Sequence, residues 1–170
     1  MDVDVLISAD SIAARVRELA AQIDRDYEGS DNVVLLAVLK GSFVFVADLA
    51  RAMQTPARVE FVACRSYTGT TGGEPELTWL PGTNLAGADV IVVEDIIERG
   101  TTLRVVLAAV ETAGARSASV AALLRKPQAL DVDLPPTYAG FDIDDEFVVG
   151  YGLDLDGKYR GLPFVGIVRG

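Results

Sequence analysis

The sequence predicts an α/β protein, a doubly wound and mainly parallel sheet with flanking helices and a small hood built from the two ends of the chain. Three observations carry this expectation. Residues 33–39 and 90–93 are apolar runs without polar alternation, the pattern of strands buried on both faces of a parallel sheet. Segments of helical periodicity separate the runs, as in βαβ units. Beyond residue 127 the runs shorten and acidic turns separate them, which marks a different kind of layer.

Taken in order, Ser8 or Ser11 can cap a first helix reaching about Tyr27, because Ile12, Val16, Leu19, Ala20 and Ile23 recur on one helical face. Gly29 ends it. The strand at 33–39 closes on Lys40-Gly41, a helix follows over 43–53, and a strand over 59–64 completes the unit. The glycine-, proline- and threonine-rich stretch from 65 to 87 reads as a long loop with room for a short strand at 77–80, and its part over about 65–83 is expected to act as a lid. A third strand at 90–93, a helix from Thr101 or Thr102 to about Gly114 and a fourth strand at 118–124 extend the sheet. Short strands at 138–141, 147–149 and 164–168 are expected to form a cap, over about 126–170, on one edge of it. All of this reads as one domain, residues 1–170.

Composition narrows the chemistry. The net charge of −10, from 25 acidic against 15 basic side chains, is the wrong sign for neutralising nucleic-acid phosphates, so no nucleic-acid partner is expected. No basic segment leads into an apolar one at the start, and the longest charge-free stretch, 77–88, contains Pro81 and is well short of the ~18 apolar residues a bilayer span needs. A soluble, unprocessed chain without a membrane partner is expected. The single cysteine, Cys64, sits in an apolar run; it reads as a small buried hydrophobe, suits a reducing cytoplasm, and excludes an intrachain disulfide. With no histidine, Ser-His-Asp triads and the usual zinc ligands are excluded, and acid–base work falls to carboxylates, Lys, Tyr and hydroxyls.

The sharpest local signal is Val93-Glu94-Asp95-Ile96-Ile97-Glu98-Arg99-Gly100-Thr101-Thr102, between a buried strand and a helix. Ligands of open parallel sheets bind at the carboxyl ends of strands. Two adjacent carboxylates leave the strand there, and Gly100-Thr101-Thr102 then opens a helix whose free N–H groups can cradle a phosphate. One loop could hold both the hydroxyls of a ribose and its phosphate.

This acidic-pair loop resembles the phosphoribosyl pyrophosphate (PRPP) motif of phosphoribosyltransferases. Val38-Leu39-Lys40-Gly41-Ser42-Phe43 is similar to the family's first phosphate-binding turn. Leu124-Arg125-Lys126-Pro127, Phe147-Val148-Val149-Gly150-Tyr151-Gly152-Leu153-Asp154 and Lys158-Tyr159-Arg160-Gly161 resemble the base-binding part of hypoxanthine-guanine phosphoribosyltransferases. The match runs nearly the whole chain in the right order; 68–82 matches poorly.

The resemblance implies the type I phosphoribosyltransferase fold, a transferase acting in purine salvage, Mg2+ as cofactor, PRPP and a purine base as substrates, and homo-dimers or homo-tetramers. Glu94 and Asp95 would hold the ribose hydroxyls and the magnesium, Asp154 a second magnesium, and Arg99, Gly100, Thr101 and Thr102 the 5′-phosphate. Lys40 and Gly41, on a turn that contains a non-proline cis peptide in the family, and Arg160 would meet pyrophosphate, while Ser66 and Tyr67 match the lid. Lys126 offers a donor to O6 of a 6-oxopurine, Phe147 a stacking face, and Val148 backbone groups for the base edge.

Glu98 and Arg99 depart from the family, which has aspartate followed by threonine. That aspartate lies beside N7 of the purine and takes its proton, so Glu98 is the expected catalytic residue, one methylene longer; Arg99 could pair with it. Hypoxanthine and guanine are the expected bases, with xanthine as competitor. The alternative is a catalytically impaired nucleotide-binding or regulatory protein of the same fold, against which stand the intact Lys126, Asp154 and Arg160.

Overall fold

The computed structural model describes residues 2–65, 75–135 and 137–169. A six-stranded sheet carries the molecule, in the order β4-β3-β2-β5-β6-β7, with β2 (Val33–Leu39), β3 (Ala57–Arg65), β5 (Asp89–Ile97), β6 (Ser117–Arg125) and β7 (Thr137–Asp142) parallel and β4 (Glu76–Trp79) antiparallel at one edge. Helix α1 (Ala9–Asp26) starts at Ser8, whose hydroxyl accepts from the Ser11 amide, and packs with α2 (Phe43–Ala52) on one face; α3 (Thr101–Thr112) covers the other.

The alternation missing from the β2 sequence is present in space. Val33, Leu35 and Ala37 join the core under α1 and α2, while Val34, Leu36 and Val38 join the core under α3. Each face is apolar because each has its own helical cover, so no residue of the run needs to be polar.

Two expectations are corrected. The strand expected at 138–141 is not part of the cap: as β7 it pairs in parallel with β6 and closes the main sheet. Its edge is covered by α1, with Arg15 donating to the carbonyls of Ala139 and Gly140 and the Tyr138 hydroxyl donating to Asp26, and only a glycine fits at 140, where a Cβ would stand 2.4 Å from the Leu123 carbonyl oxygen. The first six described residues, not predicted as a strand, form β1 (Asp2–Ile7), which pairs antiparallel with β9 (Val165–Arg169); β9 also pairs with β8 (Val148–Val149). These three strands are the hood, and Val148, Tyr151, Leu153 and Val165 seat it on the α1/α2 core.

Chain order places the site. From β2 the chain moves through α2 to β3, and from β5 through α3 to β6, so the winding reverses between neighbouring β2 and β5, with the two helices on opposite faces. A crevice opens beyond the carboxyl ends of strands at such a switch point.

Candidate active site

Two strand ends and the hood meet at the crevice. Glu94 and Asp95 sit near the carboxyl end of β5, and Lys40-Gly41 follows β2 directly. The Leu39–Lys40 peptide is cis, as the resemblance implied. A Cβ on Gly41 would lie 1.6 Å from Asp95 Oδ2, and one on Gly152 would lie 2.0 Å from the Gly41 carbonyl oxygen. Both glycines are therefore required by close approach: the β2 turn fits between the Asp95 carboxylate and the hood. A cavity of about 490 Å³ results, walled by Lys40, Gly41, Glu94, Asp95, Asp154 and Arg160.

The carboxylates in this cavity are under electrostatic pressure. Burial, then the neighbouring Asp95 charge, push Glu94 well above the ordinary carboxylate range. Burial also raises Asp95, against the Ile96 amide and Arg160, which lower it. Asp154 accepts from the Gly157 amide at 2.7 Å and pairs with Arg160 at 2.7 Å, while Arg160 also donates to the Gly152 carbonyl at 2.6 Å.

Beside it lies a smaller cavity of about 260 Å³, lined by Glu98, Arg99, Gly100, Thr101 and Thr102 among others. Gly100 takes φ +84° and has no side chain with which to cap α3, so the first amides of that helix face the cavity without a capping partner. These amides and the two threonine hydroxyls make an anion cradle.

Of the residues expected to meet a base, Lys126 contacts Glu98 of the cradle. The Lys126 side chain is buried, yet its ammonium donates to Glu98 Oε1 at 2.5 Å and to Asp145 Oδ1 at 3.1 Å. Burial alone would lower its pKa; the two carboxylates outweigh that and raise it. Phe147 exposes 60% of its surface, so its ring is available to a ligand, whereas Val148 is buried in β8.

The structure redirects some expectations. Arg99 does not pair with Glu98; its guanidinium turns to Asp131, 2.8 Å away, and Glu98 pairs with Lys126. The Glu98 side chain thus reaches directly to the lysine expected to read the base. Cys64 is half-buried rather than buried and lines the larger cavity beside Thr102, and burial foremost raises its pKa. Ser66 and Tyr67 lie outside the described residues. Asp131 and Asp145 were not singled out from sequence, although Asp145 stands in the acidic turn before Phe147, where a partner for a buried lysine is a reasonable expectation.

A family model described as the phosphoribosyl transferase domain matches residues 5–156. The hypoxanthine-guanine phosphoribosyltransferase of Mycobacterium avium is 41% identical over 169 residues, covering 95% of this chain and 83% of that protein. That of Dictyostelium discoideum is 39% identical over 174 residues, covering 99% and 97%. A crystal structure of a hypoxanthine-guanine phosphoribosyltransferase from Bacillus anthracis superposes with a TM-score of 0.92 at 43% identity, covering 99% of this chain and 100% of that one. With the acid pair, the uncapped helix and the buried lysine placed together at the switch point of the same fold, the chain belongs to the phosphoribosyl transferase family, among its hypoxanthine-guanine phosphoribosyltransferases.

Proposed function

We propose that this protein transfers the 5-phosphoribosyl group of PRPP to a 6-oxopurine, hypoxanthine or guanine with xanthine as a further candidate, forming the nucleoside monophosphate and pyrophosphate in purine salvage. The observation that carries this reading is the buried Lys126 ammonium, held beside Glu98 at the edge of the anion cradle. A buried ammonium there donates to a ring carbonyl at position 6 and disfavours an amine, which offers only another donor.

The chain's own groups account for the steps. The α3 amides with Thr101 and Thr102 hold the 5′-phosphate, with Arg99 at the rim; Glu94 and Asp95 orient the ribose hydroxyls; and Lys40, Gly41 and Arg160 face the pyrophosphate. Phe147 stacks the base, and Val148 offers backbone groups to its edge. As the bond from C1′ to the pyrophosphate oxygen breaks, N9 forms the new bond to C1′, and the N7 proton passes to the Glu98 carboxylate, leaving a neutral base in the product.

Magnesium is the cofactor of this reading. The donors facing the cavity, Glu94, Asp95 and Asp154, are all hard carboxylate oxygens, and among the described residues no three candidate ligands are close enough to form a protein-only cage. That suits an ion held by one or two carboxylates and completed by substrate oxygens and water. When bound, it supplies charge neutralisation for the departing pyrophosphate.

Among the described residues no helix is long and apolar enough to cross a membrane. A cytoplasmic homo-dimer or homo-tetramer accords with the family reading. The deciding experiment is a steady-state assay of pyrophosphate release with each purine base, PRPP and magnesium, with and without chelator. Chelator-sensitive turnover of guanine or hypoxanthine is expected. Binding of GMP without any turnover would favour the impaired nucleotide-binding alternative, for which the geometry offers no specific support.

A further inference from the structure

Two neighbouring residues, Glu98 and Arg99, reach across to one segment, the loop after β6. Glu98 accepts from Lys126, and Arg99 donates through Nε and Nη2 to a single oxygen, Asp131 Oδ2, at 3.2 and 2.8 Å. The two loops are fastened at the backbone as well. The Lys126 amide donates to the Ile97 carbonyl at 2.9 Å and the Asp131 amide to the Arg99 carbonyl at 3.3 Å, and the Val132 side chain fills the space beside Gly100, 2.3 Å from where a Cβ would stand. Asp131 is therefore fixed next to the Gly100 loop; it does not itself line the anion cavity, whereas Arg99 does.

We infer that Asp131 is a positioning residue, which stores the Arg99 guanidinium at the rim of the cradle and surrenders it to the 5′-phosphate of an arriving ligand. The inference rests on the phosphoribosyltransferase reading of the cradle and deepens it. The stored pair is weak by construction, because the Arg99 and Asp131 side chains are 73% and 46% exposed and water screens their attraction. A phosphate presents more charge and more acceptor oxygens to the planar guanidinium than one carboxylate does, and it sits where backbone donors already converge. Asp131 opposes that transfer twice, by occupying the cation and by adding negative charge near an anion site. Neutralising it therefore tightens phosphate binding, the opposite of what loss of a merely structural ion pair would do.

The test is calorimetric titration of the full chain with GMP and, as the phosphate-free control, guanosine. Asp131→Asn should lower the GMP dissociation constant by ~2–5-fold, the scale of an exposed ion pair, and leave guanosine unchanged. Arg99→Ala should weaken GMP binding and remove most of the gain from Asp131→Asn in the double variant. Melting temperatures of all variants report whether the two loops stay docked. Unchanged or weaker GMP binding by Asp131→Asn, or an equal gain in the Arg99→Ala background, would overturn the storage role while leaving the enzyme reading intact. A wild-type protein that does not prefer GMP to guanosine would overturn both.

Discussion

Glu98 Oε1 lies 2.5 Å from Lys126 Nζ, so the expected proton acceptor and the expected reader of the purine carbonyl are joined before any base arrives. In the proposed reaction base binding would release Glu98 toward N7, leaving Lys126 its second carboxylate partner, Asp145, whose side chain is 93% exposed.

Glu98→Gln should lower kcat by ~10²-fold or more, because the amide cannot take the N7 proton and a positioned general base contributes on that scale. Glu98→Asp should stay within a few fold of the wild type. Rapid-quench or steady-state rates at saturating PRPP decide it; full activity in Glu98→Gln would show that the proton leaves by another route.

Adenine should be used ~10⁴-fold less efficiently than guanine or hypoxanthine, measured as kcat/KM, since its 6-amino group sets a second donor against the Lys126 ammonium where a 6-oxopurine offers an acceptor. Comparable turnover of adenine would remove Lys126 from base recognition.

Glu94→Gln should raise thermal stability while abolishing turnover. A carboxyl whose pKa is raised by burial favours the protonated form in the folded state, so ionising it costs stability as pH rises above the ordinary value of 4.5. The melting temperature of the variant should exceed that of the wild type by ~2–4 °C near pH 7 for each kcal/mol relieved, and the difference should vanish below pH 4.5. A constant difference across pH would contradict the assignment. Asp95→Asn should likewise impair PRPP use without loss of stability.

The opposite sign is expected at the far end of the sheet. Asp89 accepts from Arg116, Ser30 and Ser117, and the Arg116 hydrogen bond chiefly holds its carboxyl well below the ordinary 3.8. This stabilisation is present above pH 3.8 and is lost as pH falls toward the depressed folded value. Asp89→Asn should cost ~1–3 kcal/mol by urea unfolding at pH 7, with the gap narrowing in acid. Equal gaps at both pH values would mean that the charge is not the source.

What was legible in the sequence follows from how locally each feature is encoded. The β2 and β5 runs, the three helices and the acid pair before Gly100 are contiguous signals, and their positions agree with the structure to within a few residues. β1 was not legible because its register shifts between Val5 and Ile7 and because Val5 and Leu6 remain exposed, which breaks the alternation a half-buried strand shows. β7 was read as cap because a partly buried edge strand looks the same whichever sheet it joins; only the Arg15 and Gly140 contacts decide it. Asp131 and Asp145 act through partners about 20 to 30 positions away, and their single carboxylates carry no local pattern.

The fit of Gly41 against Asp95 carries a consequence for how such a chain can vary in length. β2 and β5 are paired with a constant offset, Val33 opposite Asp89 through Ala37 opposite Val93, and that ladder sets the Gly41 turn against the Asp95 carboxylate. An inserted or deleted residue in either strand would carry every later side chain to the opposite face and bring a bulkier residue to the place where only a hydrogen fits. Length changes are therefore confined to segments outside that ladder, such as the turn after β4, where a Cβ on Gly82 would meet nothing within 4 Å. In these two strands the spacing of residues is itself a functional property, inherited by counting as much as by chemistry.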